Sequence, residues 1–318
     1  GSKFFSSGGS RNKAVKKSTT KKPAKKPAAK KKPRPVIVVL DLPDSAIARL
    51  RRQGFAILSD NRLASTGIRV QRMRIPASMS LARANAIVKR LGASTSDVNS
   101  YYTTQTLQGC ERASDCDYRH LAGWSMDVTG ACMASPRIGL VETHLEPKHP
   151  ALLGQKIEII DVKPAERPRS GSSHGTGIAA LLVGARESKA PGLLPDAELI
   201  VATPFYRAGN ADRAEAADII RAIDAVVSRQ PDVLSLSLAG PPNAALARVL
   251  ETVRARGIPV VAAAGNGGAK SKPLYPAAYD TTIAVTAVTA KLNIFRRASR
   301  GDHVDFAAPG VEIAVADG

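Results

Sequence analysis

The chain is short of three things, and each shortage narrows what it can be. It has no apolar run of the roughly 18 residues that a membrane-spanning helix needs, so no such helix is expected. It has only three cysteines, Cys110, Cys116 and Cys132, all in one stretch. That clustering suggests one local disulfide and one thiol left over, hence an oxidising compartment. Three unpaired structural cysteines are the alternative; a zinc site is disfavoured because neither a fourth cysteine nor a spaced histidine pair accompanies them. Positions 1–34 contain no acidic residue, whereas thirteen Lys or Arg accumulate there. Of the formal net charge of +19, this leaves about +6 for the remaining 284 residues, an ordinary balance that argues against nucleic acid as the partner of the folded part. The leading Gly1-Ser2 resembles the remnant of a tag, so any export signal would lie upstream.

What is present is a 44% hydrophobic fraction, enough at this length for two domains with a real core. Residues 1–34 are rich in Lys, Pro, Ala, Ser and Thr and carry too little apolar surface to offset chain entropy. They read as a disordered basic arm, either a solvated spacer or an adhesive for an anionic polymer of a cell envelope. Residues 35–105 show the order β-α-β-β-α-β of a small ferredoxin-like α+β domain, with Ser45 expected to cap its first helix and its last strand expected around Asp97 to Gln105. Residues 106–136 read as an irregular cysteine-bearing linker. Over 137–318, short and nearly all-apolar strands alternate with helices, the pattern of a doubly wound, mainly parallel α/β sheet. Ligands of such sheets bind beyond the carboxyl ends of the strands, so polar residues there carry the most interest.

Four such places stand out. Glu142 directly follows the apolar run Ile138-Gly139-Leu140-Val141, where a carboxylate can orient an imidazole and stabilise its charged form. His174, in Ser173-His174-Gly175-Thr176-Gly177, opens an apolar helix beside a glycine that allows close backbone approach. Asn266 follows a buried strand and is flanked by glycines, a suitable place for an oxyanion donor. Ser237, Leu238, Ala239 and Gly240 run from a strand into small residues that leave room for an extended peptide. Taken singly, each has a plainer explanation: a structural histidine, an isolated carboxylate, good turn chemistry, a strand meeting a turn.

The ordered set weighs more than its members. The stretches around Glu142, His174, Ser237 to Gly240 and Ala264-Gly265-Asn266, followed by Ala308-Pro309-Gly310, resemble the subtilisin family of serine peptidases over about 137–318. The resemblance implies a subtilisin-like fold and the hydrolysis of peptide bonds in a polypeptide substrate. It implies His174 as general base, Glu142 in place of the family's aspartate, Asn266 as side-chain oxyanion donor, and Ser237 to Gly240 as the substrate strand and a wall of the primary pocket. The stretch near Phe205 and Tyr206 would flank the other side of the peptide. It further implies that residues 35–105 are a prodomain, an intramolecular inhibitor whose last strand stays in the substrate cleft, and that the protein works outside the cytoplasm, secreted or in the periplasm or cell envelope. No cofactor or catalytic metal is expected, and structural calcium is given no ligands by the sequence.

Two departures bear on activity. Glu142 adds a methylene that must be absorbed if the imidazole is to keep its place, since a misplacement of about 1 Å can cost on the order of 100-fold in rate. The family's Gly-Thr-Ser segment follows the Ala-Pro-Gly motif, and the chain ends at Gly318 before it, so these residues alone are expected to be inactive. Ser125, in Gly123-Trp124-Ser125-Met126, imitates that motif but precedes Glu142 and lacks the strand-turn-helix context. A zymogen of a serine endopeptidase is the leading reading; a pseudopeptidase that binds peptides or regulates is the alternative.

Overall fold

The computed structural model describes residues 34–105, 135–189, 191–311, 313, 315 and 316. The basic arm up to residue 33, the three cysteines with their expected disulfide, and Ser125 lie outside the described residues.

The N-terminal region is built from β1 (Val36–Leu40), α1 (Asp44–Arg52), β2 (Ala56–Arg62), β3 (Arg69–Arg74), α2 (Leu81–Arg90) and β4 (Thr95–Val98). Its strands form an antiparallel sheet in the order β2-β3-β1-β4, the arrangement read from the sequence. Side chains alternate across a strand, and β1 uses both faces. Ile37 and Val39 join Met73, Leu50, Ala84 and Val88 in a core beneath α1 and α2. Val38 and Leu40 point the other way, into a cluster shared with helices of the second region. Two expectations need correction. Helix α1 starts after Pro43 with no side-chain cap, so Ser45 lies inside the helix, two positions too deep to serve as its cap. The expected last strand is two strands: β4 ends at Val98, and after Asn99 and Ser100 the chain leaves the sheet as β5 (Tyr101–Thr104).

The second region contains β6 (Arg137–Val141), β7 (Ile157–Asp161), α3 (Ser173–Val183), β8 (Glu198–Thr203), β9 (Tyr206–Ala208), β10 (Ala211–Glu215), α4 (Ala216–Val227), β11 (Val233–Leu236), β12 (Leu238–Ala239), α5 (Ala244–Ala255), β13 (Val260–Ala263), β14 (Ile283–Val288) and β15 (Phe306–Pro309). Seven strands form one sheet, order β15-β14-β13-β11-β6-β8-β7, with every pairing parallel. Leu140, Leu199 and Val201 pack with Ala179, Ala180 and Val183 of α3, while Val141, Ile200 and Leu234 pack with Ile219, Ile223 and Leu250 of α4 and α5. Both faces of these central strands are covered, which is why they read as continuous apolar runs. Strand β15 lies within the Ala-Pro-Gly stretch and was not legible as a strand. The polar hairpin β9-β10 was not legible either, and it creates a third sheet, β12-β5-β10-β9, across the carboxyl ends of the parallel strands.

Candidate active site

Glu142 emerges from the end of β6, where its amide donates to the Ala202 carbonyl at 3.0 Å and its side chain is fully buried. His174 stands in the first turn of α3. The helix start docks tightly on the chain beyond β6, because a Cβ at Gly175 would fall 2.5 Å from the His144 carbonyl oxygen and 2.7 Å from that of Thr143. The Gly175 N–H donates to Thr143 Oγ1 at 2.9 Å, and the Glu146 N–H donates to Thr176 Oγ1 at 2.9 Å. These fastenings bring His174 Nδ1 to 2.8 Å from Glu142 Oε1. The same oxygen accepts the Thr143 N–H at 2.6 Å, while Oε2 is buried with no partner among the described residues. The longer side chain is thus accommodated with both donors on one oxygen.

The other imidazole nitrogen, Nε2, meets the main-chain carbonyl of Gln105. A carboxylate and a carbonyl can only accept, so both bonds can be made together only by a ring that carries a proton on each nitrogen. The electrostatics agree. Burial pushes the pKa of His174 down, but the charge and hydrogen bond of Glu142, with the Gln105 carbonyl, outweigh it and raise the pKa above the usual histidine value. In this arrangement the imidazole has no free lone pair with which to take up a proton.

Gln105 is held by a strand on either side of the segment that leads to it. Its N–H donates to the Ser237 carbonyl at 3.1 Å. Antiparallel pairing sets Thr104 against Leu238 and Thr103 against Ala239 on one flank, and Tyr102 against Ala214 and Tyr101 against Glu215 on the other. The Gln105 side-chain oxygen accepts the backbone N–H of Asn266 at 2.9 Å, so the bond seen at Asn266 is made by its main chain. A cavity of about 170 Å³ adjoins Gln105, His174 and Asn266 and is walled by Ile178, Ala264 and Phe295. Glu142, His174, Asn266 and Ser237 to Gly240, chosen from the sequence one by one, all converge on this place. Tyr206 lies in β9, one strand removed from the bound segment; β10 is its direct neighbour.

Sequence reading missed the polar residues that fix the bound segment. Asp97 accepts the N–H of Ala244 at 3.0 Å at the start of α5, and Asn99 accepts that of Ala217 at 3.0 Å at the start of α4, so one turn caps two helices. Asp224, on α4, accepts the amides of Ala64, Ser65 and Thr66 at 2.8, 3.0 and 3.1 Å, and the Ser65 hydroxyl as well. Arg72 reaches Glu215 at 2.6 Å. Asp97 and Asn99 stand at the end of β4 among turn-forming residues, a signal for capping, but nothing local indicates which helices they cap.

A family model described as the subtilase family matches residues 134–317. The chain belongs to the subtilase family. Among its relatives, this subtilase is 32% identical to subtilisin E of Bacillus subtilis (strain 168) over 185 residues, 56% of this chain and 47% of that protein. It is 25% identical to the minor extracellular protease Epr of the same organism over 194 residues, 60% of this chain and 28% of Epr. The subtilase chain therefore spans about half the length of subtilisin E, or less of a longer relative. Its fold is similar to that of fervidolysin from Fervidobacterium pennivorans, a keratinolytic enzyme related to subtilisin, with a TM-score of 0.67 at 17% identity over 88% of this chain and 48% of that one.

Proposed function

We propose that this subtilase is the precursor of a serine endopeptidase, with residues 35–105 acting as its own inhibitory prodomain. The observation that carries the reading is the strand Tyr101–Thr104 in the groove, ending with the Gln105 carbonyl on His174 Nε2. A segment so held lies where the acyl side of a cleaved peptide would lie, and main-chain pairing gives affinity that depends little on side chains. Once the segment leaves, Nε2 is free to take a proton from a nucleophile and return it to the leaving amine, while Glu142 keeps Nδ1 protonated and stabilises the imidazolium. The side-chain amide of Asn266 is assigned to the oxyanion, and Ser237 to Gly240 to the substrate strand. Extracytoplasmic action is supported by relatives such as the extracellular protease Epr.

A second reading, a peptide-binding pseudopeptidase, is favoured by Glu142 Oε2, which has no partner among the described residues and leaves the carboxylate held there at one oxygen. One assay separates the two. The full-length protein, with its N-terminal region removed by limited proteolysis, is treated with a fluorophosphonate that labels activated serines. Labelling that falls at least 1,000-fold in His174→Ala is expected for the peptidase. No labelling in the parent protein, with peptide binding retained, would establish the pseudopeptidase.

A further inference from the structure

The charge of the chain is partitioned along its length. Beyond the thirteen cations of residues 1–34, the remaining excess of six sits wholly within residues 35–105, where ten Lys or Arg face four Asp and no Glu. Residues 106–318 hold 23 charges of each sign and are neutral. The whole excess of +19 therefore belongs to the N-terminal region.

The fold sorts that region into two unlike ends. At one end three acids gather round Arg69: its Nη2 donates to Asp44 and Asp60 at 2.7 and 2.6 Å, and its main-chain N–H donates to Asp41 at 2.9 Å. The other end is where β1 begins and β3 finishes. There Arg74 is paired with Val36 of β1 and Ala56 of β2, and the Ile75 N–H donates to the Pro35 carbonyl at 3.1 Å. The end of α1 closes on the same place, since a Cβ at Gly54 would fall 3.5 Å from the Pro76 ring, and the Met79 N–H donates to the Pro76 carbonyl at 3.1 Å just ahead of α2. This collects Arg34, Arg49, Arg51 and Arg52 from the last turn of α1, Arg74, and Arg83 from the first turn of α2. All six are exposed, and none meets a carboxylate among the described residues. The fourth acid of the region, Asp97, is taken by the amides of Ala244 and Val98.

Like charges gathered in this way repel one another, and an anion relieves them. The residue types narrow the choice of anion. Eleven of the thirteen cations in residues 1–34 are lysines, compact charges on flexible stems, whereas the six at the folded end are arginines, whose planar forks engage phosphate oxygens in pairs. The large apolar side chains exposed in the region are Leu58 and Tyr101, and Tyr101 lies beside the Arg213 guanidinium, 4.4 Å from its ring centre. That makes neither a stacking platform for bases nor an apolar wedge for a lipid surface. A linear phosphate polymer, read by its charge, fits what is there.

We infer that residues 1–105 dock the chain on a phosphate-bearing polymer, the lysine-rich segment capturing it and the six-arginine end gripping it. The neutral remainder takes no part in that attachment. On the prodomain reading proposed above, loss of the N-terminal region then frees the peptidase from the polymer; the docking itself does not depend on that reading.

The test uses the full chain and immobilised inorganic polyphosphate over a series of salt concentrations. The triple variant Arg51→Gln/Arg52→Gln/Arg74→Gln is compared with Arg62→Gln/Lys89→Gln/Arg90→Gln and with a chain lacking residues 1–33. The second triple removes the same charge at the opposite end, where Arg62 pairs with Arg69 and the end of α2 packs its Gly92 against Pro43. The first triple is expected to weaken binding about tenfold near about 0.1 M salt and to flatten the log–log salt dependence by about two, the second to weaken it about twofold, and the truncation on the order of 100-fold. Hydrogen exchange in β1 to β4 should match the parent in both triples, which separates lost contacts from lost folding. Equal losses in the two triples would overturn the arginine end, and a parent chain that is not retained at low salt would overturn the docking. Tighter binding to single-stranded DNA, or to vesicles of anionic lipid, than to polyphosphate of equal charge would overturn the polymer in favour of that partner. Full-length protein held on polyphosphate is finally cut by limited proteolysis, with the N-terminal part expected to stay and the peptidase part to wash off. A separated peptidase part that stayed bound would overturn the release and leave the docking standing, while the fluorophosphonate assay decides the peptidase reading on its own.

Discussion

Two of the three sheets among the described residues solve the same problem in opposite ways. The seven-stranded parallel sheet buries both faces of its central strands within its own region, under α3 on one side and under α4 and α5 on the other. The four-stranded antiparallel sheet covers only one face with its own helices; the other face, with Val38, Leu40 and Val70, is buried against Ile219, Ile223 and Leu250 of α4 and α5. The outer sides of α4 and α5 are thus shared property. The N-terminal region is in part a lid on those helices, and its closing turn satisfies amides at both helix starts. The bound strand β5 is the end of that attachment and the part that reaches the candidate chemistry.

The largest expected effect separates the two faces of β1. Leu40→Ala should cost about 3 kcal/mol, and hydrogen exchange should then rise mainly in β5 and the first turns of α4 and α5. Ile37→Ala, on the opposite face, should cost a similar amount but loosen α1 and α2 instead. If the two variants loosened the same segments, the division of the sheet into an inner and an attaching face would be wrong. Next comes Asp224→Ala, which strips the acceptor from three amides and a hydroxyl of the loop around Ser65. A loss of about 2 kcal/mol in urea unfolding is expected, with faster exchange confined to that loop and its surroundings. Exchange that stayed slow in the loop would show that the apolar face alone holds the regions together.

The smallest effect depends on pH. The pKa of His174 is raised in the folded chain, so its contribution to holding Gln105 is complete below the unfolded value of about 6.5 and is lost as pH rises through the folded value. Exchange of β5, corrected for its intrinsic pH dependence, should accelerate through that window. Glu142→Gln should move the acceleration to lower pH, because the charge that raises the histidine is removed. A profile that did not change between parent and variant would sever β5 docking from the state of the imidazole.

Much of the catalytic-type region was legible because its parallel strands are apolar throughout and its polar exceptions fall just past their ends. Glu142 and Asn266 could be picked out for that reason, and His174 because it opens an apolar helix beside a glycine. The hairpin β9-β10 could not, since its residues 206–215 mix glycine, charge and tyrosine without a clean alternation, and its pairing is with a strand more than a hundred positions away. The run around Tyr101 looked like the last strand of the N-terminal sheet because local pattern does not reveal where pairing stops. Ser45 was read as a cap because its type suits one, whereas the turn at Pro43 decided where the helix began.

By itself the sequence determined the periodicities, the order of the family's motifs and which residue types stand at the strand ends, since each is a property of near neighbours along the chain. Only the tertiary structure decided that β5 leaves its own sheet, that Gln105 meets His174 and Asn266 together, and that the buried Glu142 presents one oxygen to two donors. Those outcomes depend on which distant surfaces can close on each other while leaving the fewest buried polar groups unpaired, and that condition is set by the whole fold.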